Sequence, residues 1–188
     1  GFSLVASTGN EAVVSAAAVL DYMVDHDETK IVATFTETIA EPERYVAALD
    51  RAAAAGKPVV VLKVGKTQRT REAIVTHTGG IAGDERVFSE VLRAHRAIEV
   101  AEFDELIEVL AAFQAPNLPE GRSISVVTSS GGAAELMLDI AGNTGIDLPA
   151  LPKTTFEDAR QKIGDFAGDG NPLDAWGTGH DYVSIFLD

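Results

Sequence analysis

The run Pro58–Leu62 (PVVVL) constrains the fold more than any other stretch. It is apolar at every position, so both sides of the strand it forms need cover. That is the pattern of a central parallel strand with helices on each side of the sheet. The flanking sequence supplies such helices. Asn10 can cap a helix beginning at Glu11, in which Val13, Ala17, Leu20 and Val24 recur at three- and four-residue spacing. Pro42 suits the first turn of a second helix, and Gly56 its end. Further helices are predicted around Arg86–His95 and over Phe103–Gln114. Phe2–Ser7, Lys30–Phe35 and Ala97–Val100 predict strands. Strand–helix alternation of this kind predicts parallel sheets with right-handed crossovers, an α/β architecture.

Ala115–Arg122 (APNLPEGR) reads as a linker, and after it the pattern restarts. Ser123–Thr128 predicts a strand, Ser129–Gly132 a tight turn, Ala133–Ala141 a helix and Asp147–Leu151 a short strand. Thr154 with Glu157 fits a capping box opening a helix to about Phe166. A length of 188 residues allows one domain or one and a fraction. The restart favours two α/β units, the second cut short at Asp188.

With 46% hydrophobic and 23% charged residues the chain is globular in composition. Its 29 acidic residues outnumber 15 basic ones, for a net charge of −14. That argues against nucleic acid or an anionic membrane as partner. The absence of cysteine rules out disulfides, thiol nucleophiles and cysteine metal sites. No apolar run approaches the ~20 residues that span a bilayer, and no signal-peptide pattern is present.

Ligands of open α/β sheets bind at the carboxyl ends of the strands. Lys63, Lys66, Arg69 and Arg71 lie close together there, a local reversal of charge that suggests an anion is handled nearby. A solvated basic stretch is the competing reading. Gly65–Thr67 (GKT) resembles the end of a Walker A motif, but the required leading glycine would fall at Val60. His77, in HTGGIAGD, can act as base, nucleophile or ligand; an ordinary surface histidine is the alternative. No second histidine lies at ligand spacing, so no metal site is expected. Ser129–Gly132 (SSGG) sits between a strand and a helix, where first-turn amides and the helix dipole favour an anion. Many βα turns carry glycine without such a role. Glu37 lies at the carboxyl end of the second predicted strand, and a solvated loop acid is the bland reading. His26, His95 and His180 have no motif around them.

Six segments occur in order: STGNEAVV (Ser7–Val14), ETIAEPERYVAA (Glu37–Ala48), KPVVVLKVGKT (Lys57–Thr67), HTGGIAGDERVF (His77–Phe88), VVTSSGGAAEL (Val126–Leu136) and NPLDAWG (Asn171–Gly177). This series resembles the NDP-forming (ADP-forming) acyl-CoA synthetases, the acetate–CoA ligase group, and more distantly succinyl-CoA synthetase. The resemblance covers nearly the whole chain, and the HTG-x-x-AG segment is its most specific part. It implies a flavodoxin-like, three-layer fold. Residues 1–114 would form a domain whose first strand and helix precede Gly1. Residues 115–122 would be the linker, and residues 123–188 the start of a second flavodoxin-type domain.

The implied reaction joins an acid and CoA at the expense of ATP, giving acyl-CoA, ADP and phosphate through an acyl phosphate and a phosphohistidine. His77 matches the phosphorylated histidine and Glu37 the glutamate that holds it. Ser129, Ser130, Gly131 and Gly132 match one of two helix N-termini that stabilise its phosphate. The basic residues Lys63, Lys66, Arg69 and Arg71 would guide phosphate. The resemblance further implies a cytoplasmic enzyme, oligomeric at full length, without a prosthetic group. CoA and ATP/ADP with Mg²⁺ would be its substrates, beside a small carboxylic acid. CoA-binding and ATP-grasp domains have no counterpart in this sequence, and a fragment without them is expected to be inactive alone. Trp176 stands where acetate-type members commonly carry a smaller residue. It could shape a pocket for larger acids, or be a structural tryptophan.

Two rival functions come from other classes. Similar modules fused to protein acetyltransferases sense a ligand without catalysis; the presence of both His77 and Glu37 argues against that role. A flavodoxin-like FMN or response-regulator domain lacks the acidic cluster it would need here.

Overall fold

The computed structural model describes residues 1–67, 70, 85–115, 117, 121, 123–163 and 170–175. They group into two compact units, Gly1–Leu118 and Pro119–Asp188.

In the first unit the elements run α1 (Ala16–Asp25), β1 (Val32–Thr36), α2 (Pro42–Ala54), β2 (Val59–Lys63), α3 (Glu85–Ala94), β3 (Ile98–Val100) and α4 (Phe103–Phe113). The three strands pair in parallel in the order β1-β2-β3. β2 is central and buried at every residue, as its all-apolar sequence requires. Val59 and Val61 point to one face, with Val32, Ala17, Leu20, Val24, Ala48, Leu49, Ala52 and Leu92. Val60 and Leu62 point to the other, with Val100 and Leu106. Helices α1, α2 and α3 therefore cover one side and α4 the other, giving three layers. Each fully buried Val or Leu contributes about 1.5–3 kcal/mol of transfer free energy. On the α4 side, Phe35 stacks on Phe103 with centroids 5.5 Å apart and planes 6° from parallel.

The start of the chain departs from expectation. Phe2–Ser7 forms no strand: no described strand pairs with it, and Phe2 stays 90% exposed. Asn10 is not a helix cap, because Glu11 takes φ 58°, which no helix accommodates. The helix starts at Ala16, with Ser15 as N-cap accepting from Ala18 N at 3.1 Å. Ala17, Leu20 and Val24 form its buried face, but Val13, outside the helix, is 94% exposed. Lys57 Nζ donates to the carbonyls of Val24 (2.6 Å) and His26 (2.9 Å), closing the carboxyl end of α1. Pro42 opens α2, and Gly56, at φ 65°, reverses the chain after it.

The second unit contains β4 (Val127–Thr128), α5 (Gly131–Thr144), α6 (Lys153–Ile163) and β5 (Leu173–Asp174). β4 and β5 are parallel, with Leu173, Ala175, Val127, Leu151, Phe156 and Ala159 packed together. Regular pairing is shorter than the sequence predicts. Ser123 and Asp147 make an isolated parallel bridge rather than two strands. Thr154 lies inside α6 and does not cap it. α5 begins two residues earlier than expected and ends at Gly145, whose φ of 69° suits glycine. Asn171 accepts from Val126 N and donates to the carbonyls of Ile124 and Pro149, each at 2.9 Å. One side chain thus ties three separate segments.

Candidate functional site

Parallel pairing puts the carboxyl ends of β1, β2 and β3 at one edge of the first sheet. Thr36 stands opposite Lys63, and Val64 N continues the ladder by donating to the Thr36 carbonyl at 3.0 Å. Glu37 follows immediately and is half-buried.

Lys63 is the unexpected member of this edge. Strand alternation sends it to the same face as Val59 and Val61, and it is only 7% exposed. Its ammonium donates to the Glu37 carbonyl at 2.6 Å and also to the Val64 carbonyl. The Phe88 ring of α3 lies 5.6 Å away. Burial lowers the lysine's pKa and the Lys66 charge lowers it further, while the Glu37, Glu85 and Glu99 carboxylates oppose both.

Lys66 Nζ donates to Glu99 Oε1 at 2.8 Å and lies 3.9 Å from Glu85 Oε1. It therefore ties the exit of β2 to β3 and to the first residue of α3. Burial alone would raise the Glu99 pKa. Hydrogen bonds from Lys66 and Ser89, with the charges of Lys66 and Lys63, outweigh that and hold the carboxyl below its ordinary value. Deeper on the same face, Tyr45 of α2 is pushed up to about pKa 12 by burial, which the Thr34 and Thr36 hydroxyls only partly offset. No partner reaches its hydroxyl in good hydrogen-bond geometry among the described residues.

Of the two lysines expected to guide phosphate, Lys63 is buried against carbonyls and Lys66, partly exposed, is bonded to carboxylates. Arg69, Arg71 and His77 lie outside the described residues. Strand parity turns Lys63 inward, a signal present in the Val59, Val61, Lys63 alternation. Glu99 is legible by the same rule: it pairs with Val61 and shares its face. Tyr45 carried no signal beyond the helical spacing that buries it.

In the second unit, Ser130 caps α5, its hydroxyl accepting from Ala133 N at 3.3 Å. Ser129 precedes it, and Gly131 and Gly132 form the first turn, whose amides have no partner within the helix. A methyl group on Gly131 would stand 3.4 Å from Asp174 Oδ2, so that carboxylate lies beside the helix start. Asp174 belongs to the NPLDAWG segment but was not among the candidates. Trp176 and His180 lie outside the described residues. His26 Nδ1 lies 3.0 Å from the Thr29 hydroxyl, and His95 Nδ1 lies 2.6 Å from Asp50 Oδ1. Among the described residues no group of three or more His, Asp or Glu side chains could hold a metal ion. No described helix is long and apolar enough to cross a membrane.

Residues 1–113 match the family model of the succinyl-CoA ligase like flavodoxin domain. The chain is 31% identical over 94% of its length to acetate–CoA ligase [ADP-forming] II of Archaeoglobus fulgidus, and covers 26% of that protein. It is 34% identical over 96% of its length to a trans-feruloyl-CoA synthase from an unknown prokaryotic organism, again covering 26% of it. The alpha subunit of acetate–CoA ligase [ADP-forming] II of Pyrococcus furiosus is 30% identical over 97% of the chain, which covers 40% of that subunit. The chain therefore spans about a quarter to two fifths of the length of these relatives. Among solved structures, the dinucleotide forming acetyl-coenzyme A synthetase 1 of Ca. Korarchaeum cryptofilum, in complex with phosphate and ADP, superposes with a TM-score of 0.82 at 25% identity. That match covers 91% of this chain and 37% of the other. The chain belongs to the family of succinyl-CoA ligase like flavodoxin domains.

Proposed function

We propose that the protein containing this chain joins a carboxylic acid to CoA at the expense of ATP, and that His77 carries the phosphoryl group. A ring nitrogen of His77 attacks the γ-phosphorus of ATP, the bond to the β-phosphate oxygen breaks, and ADP leaves. A carboxylate oxygen of the acid then attacks the same phosphorus, freeing the imidazole and forming an acyl phosphate. The CoA thiolate attacks the acyl carbon, and phosphate departs with the bonding pair.

Glu37 accepts a hydrogen bond from the other ring nitrogen of His77, which fixes the tautomer and raises the nucleophile's basicity. The amides opening α5, at Ser129, Ser130, Gly131 and Gly132, stabilise the phosphoryl group without a metal. Arg69 and Arg71 lend positive charge to its path. CoA and the nucleotide are taken up mainly by further domains or subunits. A relative named as an alpha subunit and the chain's partial span of its relatives support that division.

The observation that carries the reading is Glu37, half-buried at the carboxyl end of β1 with its peptide held by Lys63, in a chain of this family. The test is incubation of the full-length protein with γ-labelled ATP and Mg²⁺. Acid-labile phosphate should appear on His77 and vanish in His77→Asn. An unlabelled wild type, or equal label on the variant, refutes the proposal.

A further inference from the structure

Lys63 ends the central strand at a position where the face it joins is otherwise hydrophobic. A third apolar residue on that face would extend the Val59 and Val61 core, so packing alone does not account for an ammonium there. The local backbone does. The Thr36 carbonyl is taken by Val64 N, the last rung of the β1–β2 ladder. The next two carbonyls, those of Glu37 and Val64, both accept from Lys63 Nζ. The Phe88 ring lies 5.6 Å from the ammonium.

We infer that Lys63 is a positioning residue for Glu37: its ammonium clamps the peptide after β1 to the end of β2 and so sets the direction in which the Glu37 carboxylate leaves the sheet. This rests on the reading of Glu37 as the histidine's partner. The acceptors are neutral carbonyls, so the lysine's charge is not cancelled by its own hydrogen bonds. The groups that face it are the carboxylates of Glu37, Glu85 and Glu99 and the ammonium of Lys66. A residue that donates to the peptide while attracting the carboxylate of the same glutamate restricts both its backbone and its side chain.

The test is a double-mutant cycle in the full-length protein. Wild type, Lys63→Met, Glu37→Gln and the double variant are compared by single-turnover phosphorylation of His77 from ATP, alongside thermal midpoints. Losing a residue that orients a reacting group's partner typically costs about 10- to 100-fold, and that loss is expected for Lys63→Met, with an unchanged KM for ATP. Added to Glu37→Gln, the same substitution should slow the reaction little further, because both act through one carboxylate. A wild-type rate in Lys63→Met, or slowing that multiplies in the double variant, overturns the inference.

Should Lys63→Met fail to unfold cooperatively, Lys63→Arg carries the test. Its longer fork displaces the Glu37 peptide, so it should slow phosphorylation in the wild-type background but not in Glu37→Gln; equal slowing in both overturns the inference. An unlabelled wild type, or a Glu37→Gln protein phosphorylated at the wild-type rate, removes the premise itself. That failure is distinct from one in which Glu37 matters and Lys63 does not.

Discussion

Replacing Tyr45 with phenylalanine should remove a specific alkaline weakness from the first unit. The Tyr45 hydroxyl is buried on the inner face of α2, and its pKa stands at about 12 instead of the ordinary 10. In the unfolded chain it would ionise near 10, whereas in the fold it stays neutral for about two further pH units. Between those values the unfolded state binds fewer protons than the folded one, so stability falls as pH rises. At 1.36 kcal/mol per pKa unit the loss totals about 2.7 kcal/mol above pH 12, and about 2 kcal/mol at pH 11.5. Lys63 acts in the opposite sense. Its folded pKa is lowered, so it stabilises the fold as pH rises through the window between its folded value and 10.5. Comparing wild type with Tyr45→Phe cancels that contribution. Urea unfolding at about pH 9 and about pH 11.5 should show the variant gaining on wild type by about 2 kcal/mol between the two. At pH 9 the variant should be no less stable, because the deleted hydroxyl has no well-formed hydrogen bond to lose. A difference between the two proteins that does not change with pH would refute the assignment.

Lys66→Met should raise the Glu99 pKa by removing both its hydrogen bond and its nearest positive charge. Wild-type Glu99, held low, stabilises the fold above its unfolded value near 4.5 and loses that contribution as pH falls through its folded value. The stability gap between variant and wild type should therefore be wider at pH 7 than at about pH 3, and an equal gap at both would exclude the ion pair as its cause. Ser130→Ala should cost about 1 kcal/mol through the lost cap on α5, measured by urea unfolding. Ser130→Asp should restore the cap yet slow phosphoryl transfer, since its charge would stand where the phosphoryl group is proposed to sit; a variant both stable and fully active would count against that placement.

The sheet was legible because PVVVL admits few alternatives, and because Ala17, Leu20 and Val24 keep a strict helical spacing. The helix start was not. Asn10 is a good cap by residue type, but Glu11 sits in the left-handed region and Ser15 takes the role. Phe2–Ser7 has the composition of a strand, yet a strand is a pairing, and no described neighbour provides one. Lys63 reads as part of a basic stretch because Lys66, Arg69 and Arg71 follow it closely. Its parity with Val59 and Val61 was the better guide and placed it inside. Glu37 was visible from its position after β1, whereas the clamp on its peptide needed coordinates. The role proposed for His77 owes nothing to periodicity; it comes from the resemblance.

The bonds of Asn171 also govern the order in which this chain can assemble. They reach back 45, 47 and 22 residues, to Val126, Ile124 and Pro149. During synthesis the first sheet has all three of its described strands once Val100 has emerged, and these can pair while the second unit is still being made. β4 must wait for β5 and for the amide that pins its edge. Through that interval α5 carries Leu136, Met137, Leu138 and Ile140, which remain partly exposed even in the finished fold. The second unit is thus the slower to form and the more open to aggregation while it waits. A chain ending before Asn171 would keep the first sheet and lose the second.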